Sequence, residues 1–278
     1  MLPWVDAHRQ RGTRGEKHPV YDFLFTYYSF RSGHLLKWSP GCDVALEGCT
    51  ANETDWPNDF VDDRSSCSVP SHSFPDHRRR YLQWAIPFLE AALEREPVYH
   101  CFGLHEWAMV YETDAVRHTK TPLRVSREQI RELVDGQGLR CTHFDAFRFF
   151  TPAAVPLNRI PLTRDSTAEH DQPGCIHANM DLYKFAFTLA PYTSSELLAD
   201  AFDLARLARE IDMRASPYDL RALGFEPIPM ETRDGRELYI QCQKELLAKA
   251  QPLRQRVLQE YRRCNNAVTG NAAVERQL

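Results

Sequence analysis

The stretch "CTHFDAFRFF", residues 141–150, sets His143 and Asp145 two positions apart inside an aromatic run. On an extended strand, alternate side chains share a face, so His143 and Asp145 converge alongside Leu139, Cys141, Phe147 and Phe149. On a helix, at about 100° per residue, the same two would point roughly 200° apart. The extended reading makes this H-x-D two thirds of a two-histidine, one-carboxylate site of the kind that holds non-haem iron and leaves positions open for dioxygen or substrate.

Such a site needs a second histidine. "CIHANMDLYKF" supplies His177, with Asp181 four residues on and on the same face if the segment is helical. "GLHEW" adds His105 and Glu106, which are adjacent and so aimed differently: one is free to bind or catalyse while the other packs or orients. No histidine follows His177, which makes the C-terminal part scaffold. Arg148 falls on the opposite strand face, where it either serves the site or stacks on Phe144 or Phe150.

The working assignment is therefore a metal held by His143, Asp145 and His177, with His105, Glu106, Asp181 and Arg148 as catalytic or orienting groups. Iron is the first choice of divalent metal, and manganese or zinc would accept the same atoms. The reaction would be metal-assisted oxidation or hydrolysis of a small aromatic or nucleobase-like substrate, since aromatic walls suit flat molecules. The competing reading is a non-catalytic binding protein whose histidines are structural, because buried polar groups are paired whether or not they do chemistry. Asp212, Arg214, Ser216, Tyr218 and Asp219 also lie close together in "EIDMRASPYDL", where a helix end and Pro217 account for the composition unless a cleft gathers them.

The elements that must position these groups predict a helix-rich α+β fold with a few short strands. One compact domain over 18–263 is expected, with mobile termini at 1–17 and 264–278. Val20, Phe23, Leu24, Tyr27 and Phe30 recur at helical spacing. Residues 39–75, rich in Gly, Pro, Ser, Asn and Asp, read as a long loop or lid and the best candidate for a moving part. A helix starting at Asp76 should bury Tyr81, Trp84, Ala85, Phe88, Leu89 and Ala92 on one face and bend at Pro87. "VYHCFGLHEWAMVYETD" suits a strand or a short buried helix. Ser126 and Gln129 form a capping box, residues 152–174 form a proline-containing loop, and three periodic segments follow, the last a helix over about 236–263.

Of the 278 residues, 43% are hydrophobic and 26% charged, as in ordinary globular proteins. No apolar run is long enough to cross a bilayer and no secretory signal opens the chain, so a cytoplasmic address is expected. The eight cysteines form no CxxC pair, which disfavours a zinc ribbon. A net charge of −4 argues against a surface built mainly to neutralise phosphates. "HRRRY", residues 77–81, is basic, as a solvated face or an anion contact. GxGxxG, Walker and GxSxG motifs are missing from the sequence, and with them the usual signatures of dinucleotide binding, phosphoryl transfer and serine hydrolysis.

Over about residues 18–256, "HPVYDFLFTYYSFR", "CFGLHEWAMVY", "CTHFDAFRFFTP", "QPGCIHANMDLYKFAF" and "FDLARLAREIDMRASPYDL" resemble a family of proteins from bacteria and photosynthetic organisms commonly labelled 3-methyladenine DNA glycosylase. The resemblance implies an N-glycosylase of base-excision DNA repair with DNA as partner, and it assigns no site residues. Such an enzyme flips a damaged nucleotide into an aromatic pocket and steadies a cationic sugar with a carboxylate. Trp107, Phe144, Phe147 and Tyr183 would stack and Asp145 or Asp181 would serve. The sequence leaves the oligomeric state open.

Overall fold

The computed structural model describes the backbone of residues 1–274 apart from positions 29, 115 and 117, and their side chains apart from Asp76 and 267–274. Helical segments occupy α1 (Leu2–Thr13), α2 (Phe23–Thr26), α3 (Asp76–Glu94), α4 (His105–Ala108), α5 (Arg127–Gln137), α6 (Phe144–Phe147), α7 (Thr167–His170), α8 (Ile176–Met180), α9 (Leu182–Thr188), α10 (Ser195–Arg214) and α11 (Arg233–Val274). With one small antiparallel sheet they make the helix-rich α+β architecture expected from the periodicity. Among the described residues, no helix is long and apolar enough to cross a membrane.

Helix α10 begins where the Ser194 hydroxyl accepts the Leu197 N–H, and it buries Leu198, Ala201, Phe202, Ala205 and Ala208 in a stripe at three- and four-residue spacing. That stripe packs on α8, α9 and α11. Helix α11 answers with Leu246, Ala250, Leu253, Val257 and Tyr261, all buried, and also carries α3. The Arg254 guanidinium enters the core from α11 and donates to Asn179 Oδ1 at 2.7 Å, pinning α11 to α8. Burial lowers its pKa to about 10. The Ser126/Gln129 capping box opens α5 as the sequence predicts.

Several sequence expectations change. Residues 1–17 are not a loose end: they contain α1, with Val5 fully buried and Arg11 donating to the buried Asp22 carboxylate. Cys264 is likewise buried within α11; positions 275–278 lie outside the described residues. The helix read over residues 20–30 shortens to α2, because Pro19 and the turns at residues 19–22 use Asp22 as an acceptor for the His18 N–H. The segment 39–75 is a folded unit rather than a long structureless loop. Its strands β1 (Leu46–Glu47), β2 (Val61–Asp63) and β3 (Ser66–Ser68) pair antiparallel in the order β1-β3-β2. Phe60, Cys67, Val69 and Phe74 are buried, and the Cys42 N–H donates to the Tyr192 carbonyl. Trp84, expected in the core, is 47% exposed, because one side of its indole packs on Phe88 and Phe185 while the rest lines an open cleft.

Gly235 in the first turn of α11 has a specific reason to lack a side chain. A Cβ there would lie 2.0 Å from the Pro229 carbonyl oxygen, which is backbone and cannot swing away. An ordinary helical Gly→Ala exchange stabilises by about 0.5–1 kcal/mol. Gly235→Ala should instead destabilise the chain by about 1–3 kcal/mol. Urea unfolding checks the sign, and a variant more stable than the parent would refute the close approach.

Candidate active site and metal groupings

His143 sits at a change of backbone direction. It is extended (φ −105°, ψ 110°), and the next residue starts α6, so Asp145 lies in a helical first turn. The strand over 141–150 is therefore not formed. The aromatic run closes a helical turn instead, with Phe147 N–H donating to the His143 carbonyl. The two side chains still approach one another, because an extended residue followed by a helix aims them at a common cleft: His143, Asp145 and Asp181 bring ligand atoms within 4.8 Å of one another.

The His143 Nδ1–H donates to Asp171 Oδ1 at 3.1 Å, and Nε2 lies 3.9 Å from Asp181 Oδ2. Burial disfavours the imidazolium, but the Asp171 charge and hydrogen bond, aided by Asp181, outweigh it and raise the His143 pKa above its ordinary value. Asp181 stands where α8 meets α9. It accepts from the Tyr28 hydroxyl at 2.9 Å and from Lys184 Nζ at 2.5 Å. Burial opposes its charge, yet Lys184 and then His143 hold its carboxyl below the usual range, and Asp181 in turn raises Lys184 against burial. Lys184 also lies 3.8 Å from Asp145. The place a cation would take between these two carboxylates is thus filled by an ammonium.

These groups line a cleft of about 630 Å³. Phe144 faces into it from α6, Tyr81, Trp84 and Phe88 from α3, and Phe185 from α9. Trp84 and Phe88 are stacked with ring centres 5.1 Å apart. Arg148 pairs with Asp145 at 3.2 Å and lies over Phe149, not Phe144 or Phe150.

His177 does not join His143 and Asp145 around one point. Its ring stacks beside that of His143, with centres 5.5 Å apart and planes at 19°, while Nε2 looks the other way, 4.0 Å from Asp212 Oδ2. His105 Nε2 lies 2.9 Å from Asp212 Oδ1. His105, His177 and Asp212 form a second grouping, and His143, Asp171 and Cys175 a third. The chain therefore holds buried His/Asp groupings that could bind a metal, with memberships different from the set His143, Asp145, His177. Glu106 is not at a ligand position; it accepts from Arg209 at 2.9 Å, which also donates to Asp212 at 2.5 Å. Asp212 carries the lowered pKa of an ionised group: burial pushes it up, but His105 at 2.9 Å and the Arg209 guanidinium help to more than reverse this. Burial, followed by His105, depresses His177 well below its ordinary value, leaving it neutral at pH 7. Burial also raises the Cys141 thiol to about 12 and lifts Cys175 well above its ordinary value, so neither is a ready thiolate.

Sequence reasoning missed Asp171, Lys184, Tyr28 and Arg209. Asp171 lay inside a proline-containing loop with no periodic signal. Arg209 and Asp212 were legible in principle: two charges three apart interrupt the apolar stripe of α10. Compared with profiles of protein families, with characterised proteins and with solved structures, the chain matches none.

Because the His143 pKa is raised on folding, the Asp171 interaction adds stability that is fully present below pH ~6.5 and is lost as pH rises through the folded-state value. Asp171→Asn should remove that acid-side contribution and lower the His143 pKa. An NMR titration of the His143 ring checks this, and an unchanged midpoint would contradict the pairing.

Proposed function

We propose that the aromatic cleft is the active site of an enzyme that works by general acid–base catalysis, hydrolysis first, on a small flat aromatic or nucleobase-like molecule. The observation that supports this reading most is the placing of His143: one ring nitrogen is held by Asp171 and the other faces the cleft beside two carboxylates. Asp171 fixes the ring's orientation and tautomer, as an orienting carboxylate does in hydrolytic triads. His143 Nε2 then exchanges a proton with water or with the substrate, and Asp145 is the nearby carboxylate least enclosed, with its side chain 29% exposed. Lys184 steadies developing negative charge, while Trp84 and Phe144 bind the flat face. The exposed indole, unusual for so large an apolar group, gains a purpose in this reading.

Excision of a base from a sugar is a hydrolysis of this class, so the glycosylase activity implied by the sequence resemblance belongs among the substrates to test. Metal-assisted oxidation would need an ion, and the ammonium between Asp145 and Asp181 does not favour one in the cleft itself.

The test is a thermal-shift and turnover screen with methylated purines, their nucleosides, aromatic esters and amides, and alkylated DNA. A cleft ligand should lose at least about tenfold in affinity in Phe144→Ala and in Trp84→Ala. His143→Asn should lower kcat about 10²–10⁴-fold with binding retained. Binding without turnover would favour a binding protein, and full turnover in His143→Asn would end the acid–base assignment.

A further inference from the structure

Behind the cleft, two carboxylates and one guanidinium meet in an enclosed part of the core. Asp212 is 0%, Glu106 3% and Arg209 1% exposed. Arg209 bonds both acids, which leaves one negative charge to be balanced where an unpaired ion is costly. The groups beside Asp212 that could answer it are His105 and His177. Although His105 Nε2 approaches Asp212 Oδ1 to 2.9 Å, neither atom has an aligned hydrogen-bond partner among the described residues. Such an approach fits two atoms aimed at a third. The ligand atoms of His105, His177 and Asp212 all lie within 4.8 Å of one another. Separations of about 3–4 Å follow when ligands sit about 2.0–2.2 Å from one ion.

A cavity of about 20 Å³ adjoins the grouping, lined by His105, His177 and Tyr239 among others. It has room for about one water-sized probe. The Tyr239 hydroxyl is fully buried and has no hydrogen-bond partner among the described residues. It lies against Gly103 (φ +63°), where a Cβ would come within 2.7 Å of the hydroxyl oxygen. The backbone therefore makes room for a phenol whose polar end is unsatisfied beside two imidazoles.

We propose that His105, His177 and Asp212 bind one divalent transition-metal ion, with the Tyr239 hydroxyl hydrogen-bonded to a water on that ion. Asp212 uses Oδ1, since Oδ2 is taken by Arg209, and the Arg209–Glu106 pair orients the ligand carboxylate from behind. Two imidazoles and one carboxylate suit Fe(II), Mn(II) or Zn(II) better than Mg(II) or Ca(II), which prefer oxygen. The site is separate from the cleft and stands whether or not the cleft is catalytic.

The experiment uses the full chain without a histidine tag, and its readouts are metal content and spectra rather than activity. Elemental analysis should find about one equivalent of iron, manganese or zinc. Chelator-treated protein titrated with Co(II) should develop visible absorption bands. His177→Ala and His105→Ala, checked for fold by circular dichroism, should weaken Co(II) binding at least ~100-fold. Asp145→Asn, in the cleft, should retain it. A folded parent protein that neither carries metal nor takes up Co(II) overturns the proposal, as does a doubly protonated His105 seen by ¹⁵N NMR as the counter-charge. Loss of Co(II) binding in Asp145→Asn with retention in both histidine variants would also overturn it.

Discussion

A guanidinium in the core must find its countercharges there, and Arg209 gathers distant parts of the chain in doing so. It donates to Glu106 of α4 and to Asp212 one turn along α10, it reaches the Pro19 carbonyl at 3.4 Å, and it lies 4.1 Å from the centre of the Phe23 ring. Stranding one member of a buried ion pair costs about 3–5 kcal/mol, so the strand of chain before α2, the turn carrying His105 and the end of α10 are held together as one. Asp212 is fixed in turn, and with it the direction in which His105 and His177 look.

The two centres solve the problem of buried charge differently. In the cleft, three carboxylates, Asp145, Asp171 and Asp181, are met by Lys184 and His143, and the half-buried Asp145 and Lys184 retain access to water. Solvent and a small molecule can therefore reach this centre, and its charges are balanced by side chains that line the cleft itself. Behind α8 the carboxylates are almost wholly enclosed and the guanidinium does not titrate, so the surplus charge must be answered by something that stays. One centre is open to solvent on one side and the other is enclosed on all sides.

The general architecture was legible because it rests on local rules. The apolar stripes of α3, α10 and α11, the capping box at Ser126 and the glycine after α5 each announce an element within a few residues. His105, His143, His177 and Asp181 stand out in the sequence by type and spacing, and the fold brings them close to one another. Their partnerships were not legible. Spacing along a chain predicts a shared direction only inside a regular element, and both key spacings straddle a change of element: His143 precedes α6, and Asp181 follows α8. Asp171 enters from a loop, whose path is set by tertiary contacts such as Arg95 donating to the Asp171 carbonyl. The small sheet within 39–75 was hidden for a related reason, since strands of two or three residues are too short to show alternation.

The row of three imidazoles shows why the partnerships matter more than the motif. His105 and His177 meet edge to face with centres 4.3 Å apart, and His177 stacks on His143. Three adjacent rings cannot all hold protons cheaply, because each charge disfavours the next. Asp171 settles the matter at one end by favouring the charged form of His143. His177, buried in the middle and then disfavoured further by its neighbours, is left neutral with its Nε2 turned toward Asp212. A neutral imidazole aimed at an ionised carboxylate is in the state that coordinates a metal, whereas a charged one facing a cleft is in the state that donates a proton. The carboxylates on either side of α8 thus set neighbouring histidines in opposite electrostatic surroundings, a distinction that an H-x-D spacing alone does not carry.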